Sequence, residues 1–179
     1  TLCRFKKVKK KAIFFDRDGV LNKSLVVNGK PKAPSKLKDF KIYKNLEEPF
    51  IKLSKTYLIY VITNQPDFYE KKSRFVVNQM HKRLKETLII DKILCCFDIS
   101  NSSKDKKPNT GLIKKILRKK NINLSESFVV GDRWRDIDLA HNLKCKSIFI
   151  NRKYKEKLNK KPDYVCISTI QAINMILKK

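Results

Sequence analysis

With 179 residues, the chain has room for one domain with a buried core and little room for two. Hydrophobic residues make up 41% of it, which excludes a disordered chain, and no apolar stretch reaches the roughly 18 residues that a transmembrane helix needs. No long apolar run follows the basic segment 1–11, so the sequence predicts no secretory signal and a cytoplasmic location.

The charge is strongly one-sided, with 43 Lys and Arg against 17 Asp and Glu and a formal net charge of +26. Such an excess is typical of proteins that meet polyanions: nucleic acid, an acidic membrane surface or a phosphorylated substrate. The lysines are spread over almost every segment, however, which favours a compositional bias toward Lys over a defined binding stripe. Both interpretations stay open at this point.

Apolar segments of strand length alternate along the chain with longer segments of helical periodicity. The predicted strands are residues 12–15, 58–62, 93–97, 128–130, 147–150 and a short 164–167. The predicted helices are residues 45–55, 72–89, 110–120, 135–143 and 168–178. Ser168 and Gln171 form a capping-box pair at the last helix, and Asn28-Gly29 is a hairpin-turn signal in the otherwise irregular segment 23–44.

Strands that are apolar on both faces and alternate with helices indicate an α/β fold. The sequence therefore predicts a single domain over residues 1–179, a three-layer α/β/α sandwich with a mainly parallel sheet and no large cap domain. Ligands of such sheets bind at the carboxyl ends of the strands, so residues that follow each strand are the candidates for chemistry.

The cysteines and histidines do not have metal-ligand spacing. There is no CxxC pair, and His81 and His141 lie far from any cysteine cluster. The sequence predicts reduced, mostly buried thiols and no disulfide framework or zinc site for the five cysteines, which are Cys3, Cys95, Cys96, Cys145 and Cys166.

The first predicted strand ends in two carboxylates, Asp16 and Asp18, two residues apart before Gly19. Carboxylates beside a buried strand are costly unless a cation or a reaction partner meets them. A divalent metal such as Mg²⁺ would explain both. Asp16 could then attack phosphorus and Asp18 could move the proton, although a solvated Asp-Gly turn is the structural alternative.

Three further strand ends carry polar residues. Thr63 offers a hydroxyl for phosphate oxygens, and Lys107 offers a point charge ahead of a helix. Asp132 could complete a metal site, while Asp136 either supports that site or is simply a first-turn carboxylate favoured by the helix dipole. Nucleophile, acid/base, phosphate ligand, positive charge and metal ligand together are the set that phosphoryl transfer requires.

Four stretches in this order resemble the haloacid dehalogenase superfamily of phosphohydrolases: DRDGVLN (16–22), TNQ (63–65), KKPNTG (106–111) and GDRWRDID (131–138). Their sequences are similar to the motifs of one branch of small enzymes without a large cap. That branch includes the heptose bisphosphate phosphatases and the histidinol-phosphate phosphatases. The resemblance implies a Rossmann-like sheet and bound Mg²⁺.

The resemblance also implies a role for each matching residue. Asp16 would be the nucleophile, and Asp18 the general acid/base that also lends its backbone carbonyl to the metal. Mg²⁺ would be held by Asp16, Asp18 and Asp132, with Asp136 supporting the site. The residues expected to bind substrate or its phosphate are Thr63, Asn64, Lys106, Lys107 and Arg133, of which Lys106 replaces a substrate-contacting arginine.

Two segments depart from that branch. The loop 96–105 has one cysteine and no histidine where many members carry a zinc loop, so no structural zinc is expected. The segment 66–71 replaces a turn of small residues with Gly and Arg that lies near the substrate in the branch. The resemblance therefore carries the hydrolytic core over to this chain, but not the identity of the substrate.

The leading hypothesis is a Mg²⁺-dependent phosphatase that acts on a small phosphorylated metabolite through an aspartyl-phosphate, with a heptose bisphosphate as the first candidate. One alternative is a nucleic-acid 3′-end phosphatase of the same superfamily, which the charge suits but which the sequence does not favour, because it lacks interleaved aromatic and basic residues. The other is a non-catalytic basic binding protein on the same fold.

Overall fold

The computed structural model describes residues 9–179. Its strands are β1 (Lys11–Phe15), β2 (Leu25–Val27), β3 (Lys30–Lys32), β4 (Tyr57–Asn64), β5 (Lys92–Cys96), β6 (Phe128–Gly131), β7 (Lys146–Ile150) and β8 (Tyr164–Cys166). Its helices are α1 (Glu47–Ser54), α2 (Arg74–Thr87), α3 (Gly111–Leu117), α4 (Trp134–Leu143) and α5 (Thr169–Leu177). Each predicted strand and helix is present, with ends that shift by a few residues.

Six strands form one sheet in the order β5-β4-β1-β6-β7-β8, and every neighbouring pair is parallel. The chain leaves β1 toward β4 and β5 on one side and returns on the other side at β6. The strand order therefore reverses around β1, and ligands of open parallel sheets bind at the carboxyl ends next to such a reversal. The predicted parallel sheet is confirmed.

Helices cover both faces of the sheet. Because side chains alternate along a strand, Ile13 and Phe15 of β1 pack into a core with α1, α2 and α5, and Ala12 and Phe14 pack into a second core with α3 and α4. This is the three-layer α/β/α arrangement that the apolar strands predict. No helix in residues 9–179 is long and apolar enough to cross a membrane.

The irregular segment 23–44 contains the predicted hairpin. Asn28 and Gly29 both have positive φ, 53° and 79°, which joins β2 to β3 as an antiparallel pair. The hairpin is tied to the loop after β7 because the Lys155 N–H donates to the Gly29 carbonyl at 2.9 Å. This contact helps to position the hairpin at the carboxyl end of the sheet, where Pro31 and Lys32 line a pocket.

Two smaller expectations have mixed outcomes. Ser168 caps α5 by accepting the Gln171 N–H at 3.1 Å, but Gln171 Oε1 accepts from the Ile167 N–H, so only half of the predicted capping box forms. The other expectation concerns the thiols. The described cysteines, which are Cys95, Cys96, Cys145 and Cys166, are free thiols, and Cys3 lies outside the described residues.

Candidate active site

The ends of three adjacent strands meet at one pocket. Asp16 follows β1, Asp132 follows β6, and Thr63 lies near the end of β4. The Asp16 N–H donates to the Val130 carbonyl at 2.8 Å, which extends the pairing of β1 and β6 to the first site residue. Asp16 and Thr63 line the pocket, and Asp132 lies 1% exposed beside it.

Three buried carboxylates form the centre of the site. One oxygen each of Asp16, Asp132 and Asp136 lies within 4.8 Å of the others. In residues 9–179 this is the one group of three or more His, Cys, Asp or Glu that is close enough to share a metal ion. We refer to these residues as the carboxylate triad. Asp136, expected to support the site, therefore offers a ligand atom equal to those of the other two.

Lys107 supplies the positive charge of the triad. Its Nζ contacts Asp16 Oδ1 and Asp136 Oδ1, each at 2.7 Å, and the residue is 5% exposed. Burial by itself lowers the pKa of Lys107, but the charges of Asp136 and Asp16 more than offset it, so the pKa is raised and the amine stays protonated. Asn64 fixes the backbone of Lys107: its Oδ1 accepts from the Lys107 N–H and its Nδ2 donates to the Lys107 carbonyl.

One ammonium does not balance three buried carboxylates. Burial, with the charges of the neighbouring carboxylates, raises the pKa of Asp16 to about 6 and raises that of Asp132 well above its ordinary range. Tyr154 donates its hydroxyl to Asp132 Oδ2 at 2.9 Å, but the buried Asp132 Oδ1 has no donor within the described chain. Oxygen ligands with a deficit of positive charge are the donor set that Mg²⁺ prefers, so these residues fit that ion.

Asp18 has a different environment, although it lies only two residues beyond Asp16. Its carboxylate accepts from Arg17 Nε and Nη2 at 2.9–3.3 Å, from Asn22 Nδ2 at 2.9 Å and from Gln65 Nε2 at 2.6 Å. Asp18 still lines the pocket. It is thus a fixed carboxylate at the edge of the site rather than a member of the carboxylate triad.

Positive side chains surround the mouth of the pocket. Arg133 pairs with Glu156, its Nη2 lying 2.6 Å from Oε1 and its Nε 3.0 Å from Oε2. Arg135 and Lys32 also line the pocket, and neither forms an ion pair within residues 9–179. The mouth therefore presents positive charge that no carboxylate of the described chain pairs with.

Comparisons with known proteins agree with this geometry. A family model described as haloacid dehalogenase-like hydrolase matches residues 20–150, which is most of the chain. The chain belongs to the haloacid dehalogenase-like hydrolase family. The fold resembles the crystal structure of the D,D-heptose 1,7-bisphosphate phosphatase from B. bronchiseptica, with a TM-score of 0.74, 20% identity, and coverage of 94% of this chain and 98% of that one.

Curated relatives of this hydrolase fall into two groups. The D-glycero-D-manno-heptose-1,7-bisphosphate 7-phosphatase of Thermosynechococcus vestitus is 26% identical over 92% of this chain and 94% of its own length. The histidine biosynthesis bifunctional protein HisB of Bacteroides fragilis is 32% identical over 80% of this chain. The chain spans 40% of the length of that bifunctional relative.

The structure brings together most residues that the hydrolase motifs predict, and it separates one of them. The Thr63 hydroxyl accepts from Gln65 Nε2 at 2.7 Å, which leaves its own proton to donate into the pocket. Lys106 is turned away: its Nζ donates to the Ile99 carbonyl at 2.5 Å, and the residue does not line the pocket. Its expected contact with substrate has no support in this arrangement.

The two divergent segments of the hydrolase have different places. Residues 66–71, expected near the substrate, do not line the pocket, whereas the β2–β3 hairpin does. The loop 96–105 is held instead by contacts such as that between the Ser103 hydroxyl and Asp98 Oδ2 at 2.5 Å. The absence of a structural zinc there stays a prediction.

Sequence reasoning missed several residues that shape the site. Arg17 and Gln65 lie inside the quoted motifs, and their polar character beside a buried strand is a signal that could have been used. Tyr154 belongs to the loop after β7, and its position behind a strand end is a weaker signal. Arg135 also lies inside a quoted motif, GDRWRDID, whereas nothing in the sequence distinguishes Lys32 from the many other basic residues.

Proposed function

We propose that this chain is a Mg²⁺-dependent phosphatase that hydrolyses a small phosphorylated metabolite, with a sugar bisphosphate of the heptose type as the first candidate substrate. The observation that carries the proposal is the buried carboxylate triad with one ammonium at the strand-order reversal. Relatives named as heptose bisphosphate phosphatases support the substrate class of small sugar phosphates.

The nucleophile is Asp16, and the contacts select one of its oxygens. Oδ1 accepts from Lys107 Nζ and from the Arg17 N–H, both at 2.7 Å, whereas Oδ2 has no donor in residues 9–179. Oδ2 attacks phosphorus, the bond from phosphorus to the ester oxygen breaks, and the leaving alcohol takes a proton from Asp18. Water then attacks the phosphorus of phospho-Asp16, gives its proton to Asp18, and releases inorganic phosphate and the Asp16 carboxylate.

Binding of the phosphoryl group falls to the side chains around Asp16. Lys107 and the Thr63 hydroxyl point positive charge and a proton toward oxygens of the transferred group, which stabilises charge that develops there. Mg²⁺ held by the carboxylate triad and the Asp18 carbonyl would supply further positive charge for the phosphate oxygens.

The pocket mouth favours a substrate with a second anionic group. Arg135 and Lys32 line it and have no ion-pair partner in residues 9–179, while Lys107 is already engaged with two carboxylates. A second phosphate would meet these free cations when the first lies at Asp16. This arrangement fits a bisphosphate better than a single phosphate on an uncharged molecule.

The charge of +26 favours one second candidate, a 3′-phosphatase that acts on nucleic-acid ends. A protein that contacts many phosphates releases counterions, so its affinity falls steeply with salt. Salt dependence with a phosphorylated oligonucleotide therefore discriminates between the two candidates, because a small sugar phosphate gives a shallow slope.

The test is Mg²⁺-dependent release of phosphate from a panel of heptose and hexose bisphosphates, histidinol phosphate and a 3′-phosphorylated oligonucleotide. We expect release from a sugar bisphosphate and only background release by Asp16→Asn, which keeps the shape of the side chain. Release from the oligonucleotide alone would establish the second candidate. Bound Mg²⁺ without release from any panel member would favour a binding protein on this fold, and activity in Asp16→Asn well above background would refute the proposed nucleophile.

A further inference from the structure

Arg17 is a buried guanidinium that the mechanism does not use. It lies between Asp16 and Asp18 and is 0% exposed. Its Nε and Nη2 both donate hydrogen bonds to the Asp18 carboxylate. Its Nη1 lies 3.1 Å from Nε2 of His81, a residue of α2, and forms a hydrogen bond with it. The ring of Phe40 lies 5.5 Å from the guanidinium carbon. One cation thus joins a site carboxylate to a histidine outside the pocket.

The contact between Arg17 and His81 determines the state of the histidine. A guanidinium only donates hydrogen bonds, so His81 Nε2 accepts and the ring proton lies on Nδ1. Burial, with the positive charge of Arg17, lowers the pKa of His81 to about 3, which keeps the ring neutral. His81 is therefore a constant acceptor for Nη1 under ordinary conditions.

We propose that His81 is a positioning residue that acts through Arg17 to fix the Asp18 carboxylate for proton transfer. The inference rests on the proposed phosphatase function and extends it to His81, which lies 64 positions beyond Arg17 in the chain. Without His81, Nη1 has no partner in residues 9–179, and a buried donor without an acceptor is costly. The guanidinium then turns to satisfy Nη1, and its two contacts with Asp18 loosen.

The chemistry of the leaving group separates this role from a purely structural one. An alcohol leaves as an unstable alkoxide unless an acid protonates it, whereas 4-nitrophenolate leaves with little help. The value of kcat/KM covers the steps up to the first bond cleavage. A misplaced Asp18 therefore lowers kcat/KM for an alkyl phosphate far more than for 4-nitrophenyl phosphate, while a general loss of folded protein lowers both equally.

The experiment compares His81→Phe, His81→Gln and the wild type on these two substrates. His81→Phe removes the acceptor, and His81→Gln can place Oε1 where Nε2 was. The matched control is His141→Phe, because His141 is exposed and its Nε2 contacts the Lys161 carbonyl, outside the network of Arg17 and Asp18. Thermal melting of each variant establishes that it is folded before kinetics are compared.

For His81→Phe we expect kcat/KM for the alkyl phosphate to fall at least about tenfold more than for 4-nitrophenyl phosphate, since general acid catalysis contributes about 10²–10⁴-fold. His81→Gln recovers most of this loss, and His141→Phe shows none. An equal fall on both substrates, or no fall on the alkyl phosphate, overturns the proposal.

A spectroscopic readout tests the network without activity. Nitrogen-15 shifts of the His81 ring report the Nδ1–H tautomer in the wild type, and we expect a mixture of tautomers in Arg17→Met. The opposite tautomer in the wild type overturns the proposal directly. A wild type that releases no phosphate overturns the proposed function and this role with it, whereas an active wild type without leaving-group discrimination in His81→Phe overturns the positioning role alone.

Discussion

The carboxylate triad and Asp18 lie next to each other, yet their hydrogen bonding is opposite. Asp16 and Asp136 share the Lys107 ammonium, whereas Asp132 accepts only from the Tyr154 hydroxyl and its Oδ1 has no donor within the described residues. Asp18 accepts hydrogen bonds from four donor atoms of three side chains. Asp16 and Asp18 nevertheless both follow the end of β1.

This difference indicates two kinds of work. Buried carboxylates that are close together and short of positive charge are unstable alone and are stabilised by a cation, so their arrangement makes a metal site. A carboxylate held by several hydrogen-bond donors has little freedom to move, so its arrangement fixes where the proton is given and taken. The comparison therefore predicts that cations control the triad, whereas hydrogen-bond geometry controls Asp18.

The largest expected effect comes from Lys107→Met, which removes the ammonium of the triad and keeps most of the side-chain volume. Loss of one such charged donor lowers kcat by about 10³-fold. Breaking a buried ion pair from one side costs about 3–5 kcal/mol, so the Mg²⁺-free variant also has a lower free energy of unfolding. Phosphate release and urea unfolding measure the two effects. A Lys107→Met variant with wild-type turnover would contradict the role given to this lysine.

The next effect concerns Gly19, which follows Asp18 directly and faces the triad. Its φ is +81°, and a Cβ there would lie 1.8 Å from Asp132 Oδ2. Because a displacement of about 1 Å can cost about 10²-fold in rate, Gly19→Ala is expected to lose at least that much. Gly29→Ala is the matched control: its φ is +79°, but the added Cβ meets only the flexible Lys155 side chain.

Both glycine variants carry the strain of a left-handed backbone, about 1–2 kcal/mol, so the fall in Tm of Gly29→Ala measures the effect of that strain alone. The phosphatase activity of Gly29→Ala should stay near that of the wild type, whereas that of Gly19→Ala should fall. Similar turnover in the two variants would mean that the close approach of Gly19 to Asp132 is not needed for catalysis.

Much of the site follows from the sequence, because apolar strands that end in Asp16, Thr63 and Asp132 must bring those residues to one edge of a parallel sheet. Lys106 and Lys107 show the limit. They are adjacent and identical in type, but the backbone of Lys107 is held by one hydrogen bond that Asn64 donates and one that it accepts, and only Lys107 reaches the triad. Contacts of this kind join distant residues without any periodic pattern, so the sequence does not show them.

A third prediction tests whether the carboxylate triad is short of positive charge, by measuring how Asp132→Asn changes the Tm with and without Mg²⁺. Removing one of three like charges is expected to raise the Tm of the Mg²⁺-free protein, and the same change is expected to reduce the further rise in Tm that Mg²⁺ produces. A ligand that binds only the folded state at 100 times its Kd adds about 2.7 kcal/mol, which is several degrees for a chain of this size.

The control for this prediction is Asp138→Asn, a buried carboxylate of the same helix as Asp136 that is paired with Asn159 outside the triad. Its response to Mg²⁺ should match that of the wild type. A lower Tm for Mg²⁺-free Asp132→Asn, together with an unchanged rise in Tm on adding Mg²⁺, would contradict the repulsion between the three carboxylates.

The smallest expected effect is a pH dependence. Because the pKa of Asp16 is raised to about 6, protons compete with Mg²⁺ for this carboxylate on moderate acidification. The ionised fraction of a group with that pKa falls about fourfold between pH 7 and pH 5.5, so the affinity for Mg²⁺ should weaken by about that factor.

The stability of the Mg²⁺-free protein depends on pH in the opposite sense, because acidification favours its folded state at this carboxyl. A carboxyl pKa that is higher in the folded than in the unfolded state contributes stability below the unfolded pKa, and this contribution is lost as the pH rises through about 6. Subtracting the pH profile of Asp16→Asn, which cannot titrate at this position, isolates the contribution; a difference between the two profiles that stays constant from pH 4 to pH 7 would show that the triad does not raise this pKa.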